Sequence, residues 1–176
     1  MDLTQLYNSP KDDYLLTNGN WQKADFYTFE TSNSFWNKAI IITLPKAIAK
    51  TNIEALIYLL QKQAKALQIW ESEWSRTTPT VTQFMRFFIS ERGFNNTIGK
   101  EVSTELFYKN YIATINGITA EPSFEFSKNE KPKVYVDLLD PKAILNVICF
   151  DDDWQEHNYL IETETHWVLY HWNSVQ

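Results

Sequence analysis

The sequence predicts an α+β fold: an antiparallel β-sheet with strands from both ends of the chain, packed against a central helical segment. Three observations carry this. Apolar residues recur with period two near both ends, they recur at 3–4 spacing in the middle, and the middle opens on a helix-capping signature. With 176 residues, 44% of them apolar, 15% aromatic and 22% charged, the chain reads as one globular domain spanning 1–176. No linker or internal repeat divides it.

Residues 1–10 are polar, end at Pro10, and read as a loosely held N-terminal arm. Asn18-Gly19 lies between apolar runs and predicts a hairpin. Phe35 to Leu44 is rich in β-branched residues and stops at Pro45, as a strand entering a turn does. Thr51-Asn52-Ile53-Glu54 fits a capping box. Ile53, Leu56, Ile57, Leu60, Ala64, Leu67, Trp70 and Trp74 then follow on one stripe, opposite a solvated face carrying Lys62, Lys65, Gln68 and Glu71. After Thr77-Thr78-Pro79-Thr80 a second helix turns Val81, Phe84, Phe87 and Phe88 inward and stops at Gly93. Lys100 to Asn116, ending at Gly117, is a third helix by spacing, although its Tyr, Ile and Thr content also allows a strand.

Beyond this point the period is two. Ser123–Ser127 and Lys133–Asp137 flank a polar turn and predict a hairpin, and the apolar run Ala143–Phe150 predicts a central strand covered on both faces. Strands near His157–Ile161 and His166–Trp172 complete a meander. The last has one face of Trp167, Leu169 and His171 and another of His166, Val168, Tyr170 and Trp172. Both faces need cover. Either the helices and a loop sandwich this strand, or an aromatic face stays open for a partner, including a second copy in a homodimer.

The formal charge of −6 is concentrated. From Val134 to Gln176 eight acidic residues stand against Lys142 alone, while the rest of the chain holds 15 basic and 14 acidic residues. Such a segment lacks the basic footprint that nucleic acid or an anionic membrane requires, so no nucleic-acid or membrane partner is expected. Arg76, Arg86 and Arg92 form no stripe on one helix face. The N-terminus shows no basic leader followed by an apolar run, and no segment approaches a membrane span, so a cytoplasmic location is expected.

Signatures of catalysis and cofactors are missing. One cysteine and four glycines leave no disulfide framework within the chain, no multi-cysteine metal site and no phosphate-cradling loop. Cys149 sits inside an apolar run, where burial would hold the thiol protonated. Paired carboxylates such as Glu71/Glu73, Glu101/Glu105 and Asp137/Asp140 read as solvated faces and turns. Asp151-Asp152-Asp153 beside Glu156 and His157 lacks the glycine-bearing loop that lets adjacent carboxylates converge on a hard cation, so no metal and no cofactor is expected. One alternative stays open: a turn centred near Thr163–Thr165 makes His157 and His171 cross-strand neighbours, the basis for a small enzyme or a ligand-binding protein with an aromatic pocket.

The remaining combination is an acidic, aromatic-rich face, assigned to Asp151, Asp152, Asp153, Trp154, Glu156, Glu162 and Glu164. Aromatic anchors supply desolvated contact area and carboxylates steer a basic partner. In composition and layout the chain resembles the bacterial immunity proteins that neutralise type VI or contact-dependent toxins. The resemblance implies a cytoplasmic protein, not an enzyme, that binds a cognate toxin with a basic surface and blocks it.

Overall fold

Among the described residues, seven strands form one sheet in which every pairing is antiparallel: β1 (Asp25–Thr31), β2 (Trp36–Pro45), β3 (Lys100–Glu101), β4 (Phe124–Phe126), β5 (Ile144–Asp152), β6 (Glu156–Thr163) and β7 (His166–Val175). Their spatial order is β3-β5-β6-β7-β2-β1-β4. Among the described residues the helices α1 (Tyr14–Thr17), α2 (Asn52–Ala66) and α3 (Thr104–Thr119) accompany them, with a further helical stretch at residues 82–85. The computed structural model describes residues 1–3, 14–31, 36–67, 80, 82–85, 98–120, 124–126 and 139–175. The two ends of the chain meet along β2 and β7, which pair from Trp36↔Val175 to Pro45↔His166.

That pairing makes β7 the middle strand. The run expected to be central, β5, lies near the edge beside the two-residue β3, though buried residues cover both its faces as expected. Ile40, Ile42, Leu44, Leu160, Trp167 and Leu169 point into one core, while Ala39, Ile41, Tyr159, Ile161, Val168 and Tyr170 point into a second. Strands apolar on both sides need cover on both sides. The helices therefore do not pack on one face only: α2 covers the first and α3 the second, so β7 is sandwiched and neither of its faces is left open.

The start of α2 follows its capping signature with one change. Thr51 Oγ1 accepts the Glu54 amide at 3.2 Å, but Glu54 Oε2 accepts the Lys50 amide at 2.7 Å, one residue before the cap. Burial extends beyond a stripe, because Leu15, Leu16 and Trp21 pack against the same core from the segment preceding β1. The polar side chains caught there are put to use. Gln61 Nε2 donates to the Leu16 carbonyl at 3.1 Å, and Tyr58 Oη accepts from Asn18 Nδ2 at 2.6 Å.

This packing overrides the expected hairpin at Asn18-Gly19. Gly19 does adopt a positive φ of 73°, but it joins α1 to a 3-10 turn at Asn20–Lys23, with the Asn20 amide donating to Asn18 Oδ1 at 2.9 Å. Leu15 and Leu16, which the hairpin would have placed on a strand, are instead buried in the core under α2. The N-terminal arm is likewise corrected at its start: Asp2 bridges Ile98, and Leu3 is fully buried in the α2-side core.

Residues 82–85 are helical, with Phe84 and Met85 fully buried, and a reciprocal capping box precedes them. Thr80 Oγ1 accepts the Gln83 amide at 3.2 Å, and Gln83 Oε1 accepts the Thr80 amide at 3.0 Å. The expectations for Trp70, Trp74, Val81, Phe87, Phe88, Gly93 and Lys133–Asp137 lie outside the described residues. Phe124–Phe126 is a strand as expected, and its partner is β1.

The third helix is a helix, shifted along the chain. Lys100 and Glu101 belong to β3, and Ser103 Oγ caps the helix by accepting the Leu106 amide at 3.2 Å. The helix passes through Gly117 to Thr119. Phe107, Tyr111 and Ile118 form its buried face, so the 3.6-residue period prevails over β-propensity. Among the described residues no helix is long and apolar enough to cross a membrane.

Where β3 approaches β5, Gly99 leaves no room for a side chain. A Cβ there would lie 2.5 Å from Ile148 Cγ2 and 2.7 Å from Phe150 Cε1, both on buried β5 side chains. Gly99→Ala is expected to destabilise the protein by about 1–3 kcal/mol through overpacking, read as a lower urea midpoint. A midpoint equal to wild type would mean that this edge yields freely.

Candidate functional site

The β5–β6 turn builds the site. Register shifts between Cys149↔Tyr159 and Asp151↔Asn158, so Phe150 is an extra residue and forms a bulge that re-aims the end of β5. Two backbone bonds then close a tight turn: the Asp153 amide donates to the Glu156 carbonyl at 2.9 Å, and the Glu156 amide to the Asp153 carbonyl at 3.3 Å. Trp154 stands on this turn with 67% of its surface exposed.

Three consecutive aspartates thereby reach three environments. Asp151 is buried at 6% exposure, facing Asn158 across the ladder, and Asp153 is exposed. Asp152 lies on the α3 side, where its Oδ1 accepts the Tyr159 hydroxyl at 2.7 Å and sits 3.4 Å from His157 Nε2. Burial pushes the His157 imidazole below its ordinary pKa, while Asp152 and Asp151 oppose that shift. Its ring packs on Trp172, with centroids 4.6 Å apart.

Glu156 faces the other side of the sheet. Asn158 Nδ2 donates to Glu156 Oε1 at 3.0 Å, while Asn158 Oδ1 lies 2.6 Å from His171 Nδ1. An amide oxygen only accepts, so Nδ1 carries the proton in this arrangement. Burial is the main cause that raises the Glu156 pKa and also lowers that of His171, to about 4, with Lys38 adding to the latter. A hydrogen-bonded row thus runs from the His171 imidazole through the Asn158 amide to the Glu156 side chain.

His157 and His171 do not form a pair. The β6–β7 turn is where it was expected, but His157 faces Trp172 and Asn158 faces His171 across the ladder. A one-residue offset sends the two rings to opposite faces of the sheet, which removes the basis of the His157/His171 pocket. Among the described residues no three His, Cys, Asp or Glu side chains are grouped as a metal ion would require. Cys149 is half-buried, and burial followed by repulsion from Asp152 and Asp151 pushes its thiol up to about 11.

The predicted acidic face divides in three, with Glu156 turned away to Asn158 and His171. Asp151, Asp152, Asp153 and Trp154 line one cleft of about 600 Å³, whose other walls are Ile98, Lys100, Val102, Cys149 and Phe150. Glu162 and Glu164 are at the far end of β6, and its eight residues place that end ~25 Å away. There Glu162 is engaged by Lys46 beside a second cleft at the start of α2, and Glu164 is exposed in the β6–β7 turn. The site residues missed in the sequence are Ile98 and Lys100. Ser103 as a helix cap was the available signal, since it leaves the residues before it free to extend.

No protein-family model matches the chain, and no curated protein or solved structure matches it either.

Proposed function

We propose that this chain is a protein-binding inhibitor of the immunity type, which captures a basic partner, a cognate toxin, in the cleft at the β5–β6 turn. The observation that supports it is the exposed Trp154 in one cleft with Asp151, Asp152 and Asp153, against a single lysine, Lys100. A lysine or arginine of the partner entering there meets carboxylate acceptors and an indole face together, and both attractions strengthen as water leaves. Aromatic anchors set in such partly desolvated pockets dominate binding energy, and the surrounding charge raises the association rate.

The test uses the protein encoded directly upstream and calorimetry. Asp153→Lys combined with Trp154→Ala alters two exposed side chains and is expected to weaken binding roughly 10- to 100-fold with an unchanged melting temperature. Wild-type binding should also weaken as salt rises. Absence of any binding would sink the function, whereas equal affinity of variant and wild type would sink this location for it.

A further inference from the structure

Resting on that reading, we infer that the interface runs from the acidic cleft along the β3/β5 edge to the first turn of α3, and that its occupant is a protein surface whose apolar ridge ends in a lysine or arginine. Among the described residues, the exposed large hydrophobic side chains are Ile98, Leu106, Leu145 and Trp154, at 58%, 50%, 55% and 67% exposure. They come from four separate places in the sequence, and the antiparallel β3–β5 ladder runs from the Ile98–Trp154 cleft toward the backbone of Leu145 and the start of α3. Ile98 precedes β3 and lines the cleft with Trp154. Leu106 lies one helical turn beyond β3, where the Val102 amide donates to the Val147 carbonyl at 3.0 Å and ties the start of α3 to β5. Leu145 is the extra residue of a second bulge, between Ile144 and Asn146.

Scattered exposed hydrophobics are ordinary, but their collection on one edge is the mark of an interaction surface. From Leu145 to the turn, eight of the nine residues of β5 span ~25 Å, comparable to the width of a standard protein–protein interface. The two bulges in β5 lie on either side of its short pairing with β3. Bulges of this kind twist an edge away from strand addition, so the partner docks by side chains. Charge complementarity selects the occupant. Asp152 and Asp153, the two exposed aspartates at one end, favour a cation there, and a second copy, with a formal charge of −6, is a poor source of one.

The experiment monitors Trp154 in the full chain labelled with 5-fluorotryptophan, its resonance assigned with Trp154→Phe. Three peptides of equal length are titrated: alternating leucine and lysine, lysine alone, and alternating leucine and glutamate. The leucine–lysine peptide is expected to half-saturate the Trp154 shift at a concentration about tenfold below that of oligolysine. The leucine–glutamate peptide should leave it unmoved. Leu106→Ser with Leu145→Ser, both at exposed positions, should abolish the tenfold advantage and leave the oligolysine response intact. Equal responses to the two basic peptides, or an advantage that survives the serine variants, overturn the extended edge alone. No response to oligolysine counts instead against the acidic cleft itself. Dimerisation in sedimentation that Leu106→Ser abolishes would assign the edge to a second copy and overturn the proposal.

Discussion

Replacing Phe107 by alanine is expected to destabilise the protein by about 3–5 kcal/mol, the range for removing a fully buried aromatic side chain. Phe107 is 1% exposed and anchors α3 on the sheet. Its ring centroid lies 5.8 Å from that of Tyr111, 5.0 Å from Tyr159 and 6.1 Å from Tyr170, the last two in edge-on geometry. The alanine variant therefore leaves a cavity among three tyrosines and forfeits the aromatic contacts as well. Urea denaturation monitored by circular dichroism measures the loss. Leu106→Ala, on the exposed face of the same helix, should stay within about 0.5 kcal/mol of wild type. A Phe107→Ala loss below about 1 kcal/mol would show that α3 is not a structural layer over this face.

Acidification is the second large effect, and it should act through His171. Burial holds its folded-state pKa at about 4, against an ordinary 6.5, so the unfolded chain binds the proton more readily. The contribution is complete above pH 6.5 and is lost as pH falls towards 4. For a displacement of this size it amounts to at most about 3 kcal/mol. The side chain retains 13% exposure, which makes that figure an upper bound. His157, also lowered by burial, acts in the same direction. Glu156 acts oppositely: with its pKa raised, the folded state takes up a proton first and gains stability as the carboxyl protonates. His171→Gln preserves an amide donor toward Asn158 and removes the titration. Its stability should therefore vary less between pH 6.5 and 4 than that of wild type. Equal pH dependence of the two proteins would exclude His171 as the source.

Much of this architecture is legible in local pattern. The 3–4 spacing from Ile53 to Ala64 and the Thr51 cap place α2 within a residue or two, since capping and amphipathicity depend only on near neighbours. The alternation along His166–Trp172 assigns each side chain to its observed face. The Asn18-Gly19 hairpin failed for a different reason. The same dipeptide serves any turn needing a positive φ, and burial of Leu15 and Leu16 against α2 chose among them.

The candidate site was only half legible. Asp151 to Trp154 are contiguous, so their clustering is local, and the charge count finds them. Ile98 and Lys100 join them from about fifty residues earlier through the β3–β5 pairing, a contact that no periodicity reports. Glu162 and Glu164 are close in sequence to the same cluster, yet an extended strand carries them to the opposite end of the sheet.

The sequence by itself determined α2, the strand ending at Pro45 and the strands of the C-terminal meander, which faces of those strands are apolar, and which quarter of the chain is acidic. Each of these comes from side-chain chemistry at short spacing. The tertiary structure alone decided that β2 and β7 pair at the centre, that the two helices take opposite faces, and that His157 and His171 part across the sheet. Strand order and register are contacts between distant segments, and a shift of one residue moves a side chain to the other face.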